Sequence, residues 1–349
     1  MRPLLHPALV NGRTGDPALY VESIFERPTV LIDLGDIASL SPRKVHRIGH
    51  VFVSHTHVDH FIGFDRLLRV LVGRDKTVRL YGPSGFLDQV RAKLAAYSWN
   101  LADRYGADLV FDVTEVDPDL TVRAGRLRLK TRFEIEPLGE GSIADGVVAM
   151  GPSFRVSTAF LDHGGAHCLA FAIEESAHVN VWKNRLAELS LPVGPWLQTL
   201  KRALIEKKPD DFPIEIRSRS QAESLTVAPL GRLRSAVTVT PGQKIGYVTD
   251  VADTAPNRRA IVRLVRGADL LFIEAPFALA DAALAADRAH LTTEAAGAIA
   301  REAGVRRVEP FHFSPRYEGE EGRLMREVEA AFRDGRASAP FTTSDEHGA

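Results

Sequence analysis

His55, His57, Asp59 and His60 stand within the seven residues Ser54-His55-Thr56-His57-Val58-Asp59-His60, directly after the apolar run Val51-Phe52-Val53. Imidazole nitrogens and carboxylate oxygens are ligands for zinc and similar divalent cations. Four of them side by side point to a metal site, against the blander reading of a polar loop rich in histidine. A strand would send His55 and His57 to one side, because alternate residues share a face, and the turn after it would bring Asp59 and His60 to a second position. That arrangement suits two adjacent ions. Other candidate ligands also close apolar runs: His163 after Phe154 to Leu161, Asp250 after Lys244 to Thr249, and His312 after Arg307 to Pro310. Paired dications make water a nucleophile at neutral pH and neutralise charge developing on a phosphodiester or acyl group, so the chemistry expected is hydrolysis. A purely structural site would be closed by protein ligands.

The elements that must carry these groups are short. Strand-like runs cover Leu19 to Phe25, Val30 to Asp33, Val51 to Val53, Val78 to Tyr81, Leu127 to Arg132, Phe154 to Phe160 and Leu169 to Ile173. Helical spacing covers Asp65 to Val72 and Phe86 to Tyr97. A second α/β half follows, with strands Lys244 to Thr249, Leu270 to Glu274 and Arg307 to Pro310 alternating with helices Arg258 to Arg266, Thr293 to Glu302 and Glu321 to Phe332. Two β-rich halves with intervening helices predict an α/β protein of sheets packed face to face with helices outside, rather than one doubly wound sheet. Residues 1–336 are read as a single domain interrupted at about 179–243 by an insertion richer in Pro, Lys and Arg. The polar tail 337–349 is expected to be mobile.

Composition narrows the setting. With 349 residues, 45% of them hydrophobic and 26% charged, the chain is long and apolar enough for a large core. Its one cysteine, Cys168, excludes an internal disulfide and fits a reducing cytoplasm. No run of eighteen apolar residues occurs and the N-terminus lacks a signal-peptide pattern, so neither a membrane span nor export is expected. The formal net charge of −1 exerts no global pull on nucleic acid. Any such binding must come from a local patch.

The motif His55-x-His57-x-Asp59-His60, with His163, Asp250 and His312 in that order, resembles the metallo-β-lactamase-fold hydrolases over nearly the whole chain. The resemblance implies a four-layer αββα sandwich with an inserted arm. It also implies that His55, His57 and His163 hold one ion, that Asp59, His60 and His312 hold another, and that Asp250 bridges them. Two Zn2+ ions are expected, with Mn2+ or Fe2+ as alternatives.

Within that superfamily the chain resembles ribonuclease Z, the endonuclease that matures the 3′ end of transfer RNA. The likeness rests on Leu161-Asp162-His163 running on to Cys168-Leu169-Ala170-Phe171 and Glu174-Glu175, on Leu270-Leu271-Phe272-Ile273-Glu274-Ala275, on His290-Leu291-Thr292-Thr293-Glu294-Ala295-Ala296, and on His312-Phe313-Ser314-Pro315-Arg316-Tyr317. It implies that His290 protonates the leaving oxygen and that Glu274 orients it, with Asp59 counted among the catalytic groups as well as the ligands. The alternatives to those roles are a helix cap for His290 and a buried ion pair for Glu274. Ser314 and Arg316 become candidate substrate contacts. Asp33 in Leu31-Ile32-Asp33-Leu34-Gly35 resembles the family's strand-end aspartate, which fixes the ligand loop by hydrogen bonding. His6, His46, His50, His167, His178 and His347 fall outside the motifs and read as structural or exposed.

Leu191-Pro192-Val193-Gly194-Pro195-Trp196 resembles the Gly-Pro part of the family's exosite arm, which grips transfer RNA. Lys201, Arg202, Lys207 and Lys208 are then the candidate phosphate contacts, in a segment only mildly basic because Glu188, Glu206, Asp210, Asp211 and Glu215 oppose them. A solvated amphipathic helix explains the same residues. The N-terminal stretch Asn11-Gly12-Arg13-Thr14-Gly15-Asp16-Pro17-Ala18 departs from the family's Pro-x-Lys-x-Arg loop. The ribonuclease Z resemblance nevertheless makes precursor transfer RNA the expected partner and adds a homodimer. The alternative is a small-molecule hydrolase of the same fold, acting on a cyclic nucleotide, a lactone or a thioester.

Overall fold

The computed structural model describes residues 4–23, 28–217 and 225–334. The chain divides into two compact units, Met1–Ile173 with Lys244–Ala349 and Glu174–Gln243. The polar tail lies outside the described residues.

Eight strands follow one another across the first sheet: β1 (Leu5–Leu9), β2 (Leu19–Ser23), β3 (Thr29–Ile32), β4 (Ile48–Phe52), β5 (Lys76–Pro83), β6 (Leu109–Val116), β7 (Thr121–Arg128) and β8 (Ile135–Ser142). They are parallel from β3 to β6 and antiparallel on either side. Next come β9 (Val147–Met150), β10 (Phe154–His163) and β11 (Ala166–Glu175). The second unit carries β12 (His178–Val181), β13 (Pro213–Arg217), β14 (Leu225–Pro229) and β15 (Val237–Thr240). Three parallel strands, β16 (Lys244–Val248), β17 (Leu270–Glu274) and β18 (Val308–Phe311), complete a second sheet in the order β18-β17-β16-β11-β10-β9.

Alternation explains the layering. In β3, Leu31 joins Phe64, Leu67 and Phe86 in a core between the first sheet and its helices, while Val30 and Ile32 face the opposite way. There they meet Phe52, Phe171, Tyr247, Phe272 and Phe311 in the core between the two sheets. In β17, Leu271 and Ile273 pack instead on Ile261, Ile299 and Leu324, which belong to helices covering the second sheet. Strands buried on both faces read as near-continuous apolar runs, and here they build the αββα sandwich expected from the sequence. The helix Phe64–Leu71 buries Phe64, Leu67, Leu68 and Leu71, one face at 3.6-residue spacing. Phe52 is fully buried under the ligand loop, stacked on Tyr81 at 4.6 Å. Truncating it to Ala would cost about 3–5 kcal/mol.

Several sequence expectations need correction. β4 ends at Phe52, so His55 and His57 sit in an irregular loop before the helix Val58–Phe61, not on one face of a strand. The run Leu127 to Arg132 is not a continuous strand: β7 stops at Arg128 and a 3-10 turn follows, which lets Leu129 and Phe133 both enter the core. β1, β6, β8 and β9 match none of the runs read from the sequence. β8 is an exposed edge strand with almost no buried residue, so it lacks the apolar alternation that marks a strand.

The second unit has its own core of Trp196, Leu200, Leu204, Ile214, Leu230 and Leu233. Its helix Trp196–Ile205 turns Leu200, Ala203 and Leu204 inward and leaves Lys201 and Arg202 exposed. Lys207 is also exposed, and Lys208 is half-buried, 3.3 Å from Glu206. Among the described residues, no helix is long and apolar enough to cross a membrane.

Candidate metal centre and active site

Three of the site's side chains leave the chain just after a strand. Asp33 follows β3, Asp250 follows β16 and His312 follows β18, and all three have positive φ: 57°, 42° and 60°. Side chains other than glycine adopt that conformation at a cost of about 1–3 kcal/mol, and it recurs where function demands it. Here it turns each side chain from its strand into one cluster. A tight crossing holds the ligand loop below: Gly63 N donates to Leu34 O at 2.8 Å and Leu34 N donates to His60 O at 2.9 Å. A side chain on Gly63 would overlap Gly35 O, so the crossing requires glycine.

Two sets of donor atoms converge, beside a third made of Asp250, Glu274, His290 and His312. His55, His57, His163 and Asp250 form one, and Asp59, His60 and His312 form another. Asp250 faces both. Its Oδ2 lies 3.5 Å from His55 Nε2 and 3.6 Å from His163 Nε2, and its Oδ1 lies 3.4 Å from His60 Nε2 and 3.0 Å from His312 Nδ1. Asp59 Oδ2 stands 3.4 Å from both His60 Nε2 and His312 Nε2. Ligands about 2 Å from one tetrahedral ion stand roughly 3.3 Å apart. The spacing therefore fits cations better than direct contacts, and His55 Nε2, His60 Nε2 and His312 Nδ1 are all buried without a hydrogen-bond partner.

The other ring nitrogens explain why these point inward. His60 Nδ1 is 2.9 Å from Asp33 Oδ2, and His163 Nδ1 is 2.9 Å from Ala289 O. Carbonyls and carboxylates only accept, so each Nδ1 carries the proton and each Nε2 is left as a ligand. His55 Nδ1 is 3.1 Å from Ser54 Oγ, whose own proton goes to Asp33. Burial drives His55 down to about 3, so its imidazole is neutral at working pH. Burial also opposes a proton on His60 and His312, yet Asp250, helped by Asp33 at His60, outweighs it and raises both well above the usual histidine range. The negative charge gathered there calls for cations.

His290 stands beside this cluster. Its Nδ1 is 2.9 Å from Glu274 Oε2, while Glu274 Oε1 accepts from Val251 N at 3.0 Å and Leu291 N at 3.1 Å. One fully buried carboxylate thus ties together the Asp250 loop, the His290 loop and the imidazole. Burial alone would raise the Glu274 carboxyl, but His290 holds it down to about 2. Burial lowers His290 and Glu274 more than compensates, raising it. The segment after His290 is also a helix cap, but Thr292 supplies it, accepting from Ala295 N at 3.1 Å.

A 540 Å³ cavity opens on these groups, lined by His57, Asp59, His163, Asp250, His290 and His312, with Ser314 and Arg316 among its walls. Arg288, Phe277 and Leu284 line it too. They carry no motif, and only their proximity to His290 in the chain offered a signal. Arg316 lies 5.9 Å from the Phe277 ring centroid and 3.8 Å from Asp281. A neighbouring 260 Å³ pocket is lined by Thr14, Gly15 and Asp16 together with Asp59, His290 and His312. The atypical N-terminal loop is therefore a wall of the site. Arg13 anchors it, with Nη2 2.5 Å from Glu309 and its carbonyl accepting from Phe313 N at 2.8 Å. Thr249 Oγ1 donates to the Asp250 carboxylate at 2.7 Å and so supports that ligand, whereas Asp162 accepts from Gly165 N, ordinary turn chemistry. His6, His46 and His167 are exposed, His178 pairs with Glu175 and His50 is buried among aromatics.

Comparison with known proteins gives the family and the fold. Residues 213–313 match the Beta-lactamase superfamily domain. Over 335 residues the chain is 31% identical to Ribonuclease Z of Deinococcus radiodurans, covering 94% of this chain and 96% of that protein. The chain belongs to the ribonuclease Z family. Ribonuclease Z of Bradyrhizobium diazoefficiens is 28% identical, with 95% and 94% of the two chains covered. Among solved structures, the metallo-beta-lactamase fold protein YhfI from Bacillus subtilis aligns with a TM-score of 0.52 at 16% identity, covering 94% of each chain. Members of this ribonuclease Z family with the metallo-β-lactamase fold are metal-dependent hydrolases, and this chain is one.

Proposed function

We propose that this member of the family is an endoribonuclease that removes the 3′ trailer of precursor transfer RNA, leaving a 3′-hydroxyl. The observation that carries the reading is the convergence of the seven ligand candidates beside the His290–Glu274 pair in one open cavity. His55, His57 and His163 would hold one zinc ion and Asp59, His60 and His312 the other, with Asp250 between them. Mn2+ or Fe2+ would suit the same donors. Bound there, the pair supplies an activated water and charge neutralisation for the phosphodiester.

The chain's own groups do the rest. Glu274 occupies Nδ1 of His290, so Nε2 is the nitrogen left to hand a proton to the departing ribose O3′. The carboxylate also favours the imidazolium, the form a general acid needs. Asp59 serves as a ligand and faces the same cavity. Ser314 and Arg316, in its wall, are suited to a phosphate oxygen. In the second unit, Lys201, Arg202 and Lys207 present cations to solvent and Lys208 lies half-buried beside Glu206, and we assign all four to phosphates of the RNA body.

The deciding assay compares zinc-loaded protein on precursor transfer RNA and on bis(p-nitrophenyl) phosphate. Trailer release at the discriminator base is the expected result. Hydrolysis of the small diester alone would move the assignment to a small-molecule phosphodiesterase.

A further inference from the structure

We propose that Tyr247 is a positioning residue for the second ion site: through Asp33 it holds His60 in the tautomer and orientation that aim Nε2 at Asp59 and Asp250. Tyr247 lies on β16 in the second sheet, fully buried, its ring 5.1 Å from that of Phe311. Its hydroxyl donates to Asp33 Oδ2 at 2.8 Å. Asp33 belongs to the first sheet, at the end of β3. The bond therefore crosses the inter-sheet core and ends on the carboxylate that organises the ligand loop.

Asp33 is satisfied four times over. Oδ1 accepts from Ser54 N at 2.6 Å, and Oδ2 takes Ser54 Oγ at 2.9 Å, His60 Nδ1 at 2.9 Å and Tyr247. A carboxylate buried this deeply stays in place only while donors surround it. Three of the four come from the ligand loop that Asp33 must hold. Tyr247 is the donor from outside that loop, and so the one that sets where the carboxylate stands. Without the phenol, the Asp33 carboxylate keeps only donors from the ligand loop, although its backbone N still donates to Phe52 O at 2.7 Å, and the His60 ring loses its fixed reference.

The effect is directional. His163 is oriented by Ala289 O, and His55 touches the network through Ser54 Oγ. The set built on His55, His57 and His163 thus meets Asp33 only indirectly, through Ser54, whereas the set containing His60 meets it directly.

The inference rests on the two-ion reading, and the test separates them. The full chain, stripped with chelator, is titrated with zinc by calorimetry, and bound metal is counted, for wild type and Tyr247→Phe. Outer-shell partners of metal-bound histidine are worth about 10–100-fold in affinity. Wild type should take two ions, and the variant should lose up to about that factor at one site only. Two sites of unchanged affinity, or equal weakening of both, would overturn the assignment. If the wild type takes fewer than two ions, the two-ion reading fails instead. Should Tyr247→Phe melt far lower, Asp33→Asn decides by the same titration: selective loss of one ion supports the relay, and parallel loss of both removes it.

Discussion

Polar groups are used in opposite ways in the two units. Around the metal centre each is committed several times: Asp33 meets four donors, Glu274 three, and Asp250 faces four imidazoles. In the second unit Lys201, Arg202 and Lys207 are exposed on the solvent side of a small separate core, and Lys208 pairs with Glu206. Over-determined groups in a low-dielectric site are costly to disturb one at a time, while solvated cations act additively and weakly. The catalytic unit should therefore respond to single substitutions by orders of magnitude, and the arm only to several at once.

Asp250→Ala is the sharpest way to break that comparison, because it removes the group that faces both donor sets. Phosphodiesterase activity should fall at least about a hundredfold, with bound zinc falling below two per chain by elemental analysis. Retention of both ions would mean that Asp250 does not join the two sets.

His290→Ala should separate chemistry from metal binding. A general acid contributes about 10²–10⁴-fold, so kcat should drop in that range while zinc content stays at the wild-type level. Glu274→Gln should move the same way. Zinc loss in His290→Ala would make His290 a ligand or a support for one.

His50 tests whether the core of the catalytic unit is as unforgiving as its site. It is buried against Phe52, Tyr81 and Phe154, and burial lowers it to about 4, with Arg79 and Lys76 adding to the effect. Below about pH 6.5 the unfolded chain takes up this proton and the folded chain does not, so stability is lost as pH falls from there toward 4. The contribution is on the order of 3 kcal/mol across that window. His50→Phe should flatten the melting temperature against pH between 6.5 and 4, and an unchanged slope would assign the acid sensitivity elsewhere.

The smallest effect belongs to the arm. Neutralising Lys201, Arg202, Lys207 and Lys208 together should weaken RNA binding and reduce its salt slope, by up to about 0.7–0.9 for each phosphate that the arm no longer neutralises. Hydrolysis of bis(p-nitrophenyl) phosphate should not change. An unaltered salt slope would leave the segment as a solvated packing element.

Much of this was legible in the chain. The long helices Thr293–Glu302 and Phe64–Leu71 and the buried strand Leu270–Glu274 announced themselves by periodicity, because one-faced or two-faced burial leaves that signature in the order of residues. Edge strand β8 did not, because its residues stay exposed. The ligands were visible as residue types clustered at the ends of apolar runs. Tyr247 and Ser54 were invisible as functional groups, since each reads as an ordinary member of a strand or loop.

By itself, then, the order of residues determined the composition of the site and the layers that carry it: which donors exist, which strands bury both faces, and where helices must cover them. Only the tertiary structure decided how the donors meet. His55 and His57 converge through an irregular loop rather than strand alternation, and Asp33, Asp250 and His312 turn inward through positive φ. Tyr247 reaches Asp33 across 214 positions of chain. Such contacts depend on two sheets packing face to face, and local propensity records only what a residue's near neighbours require.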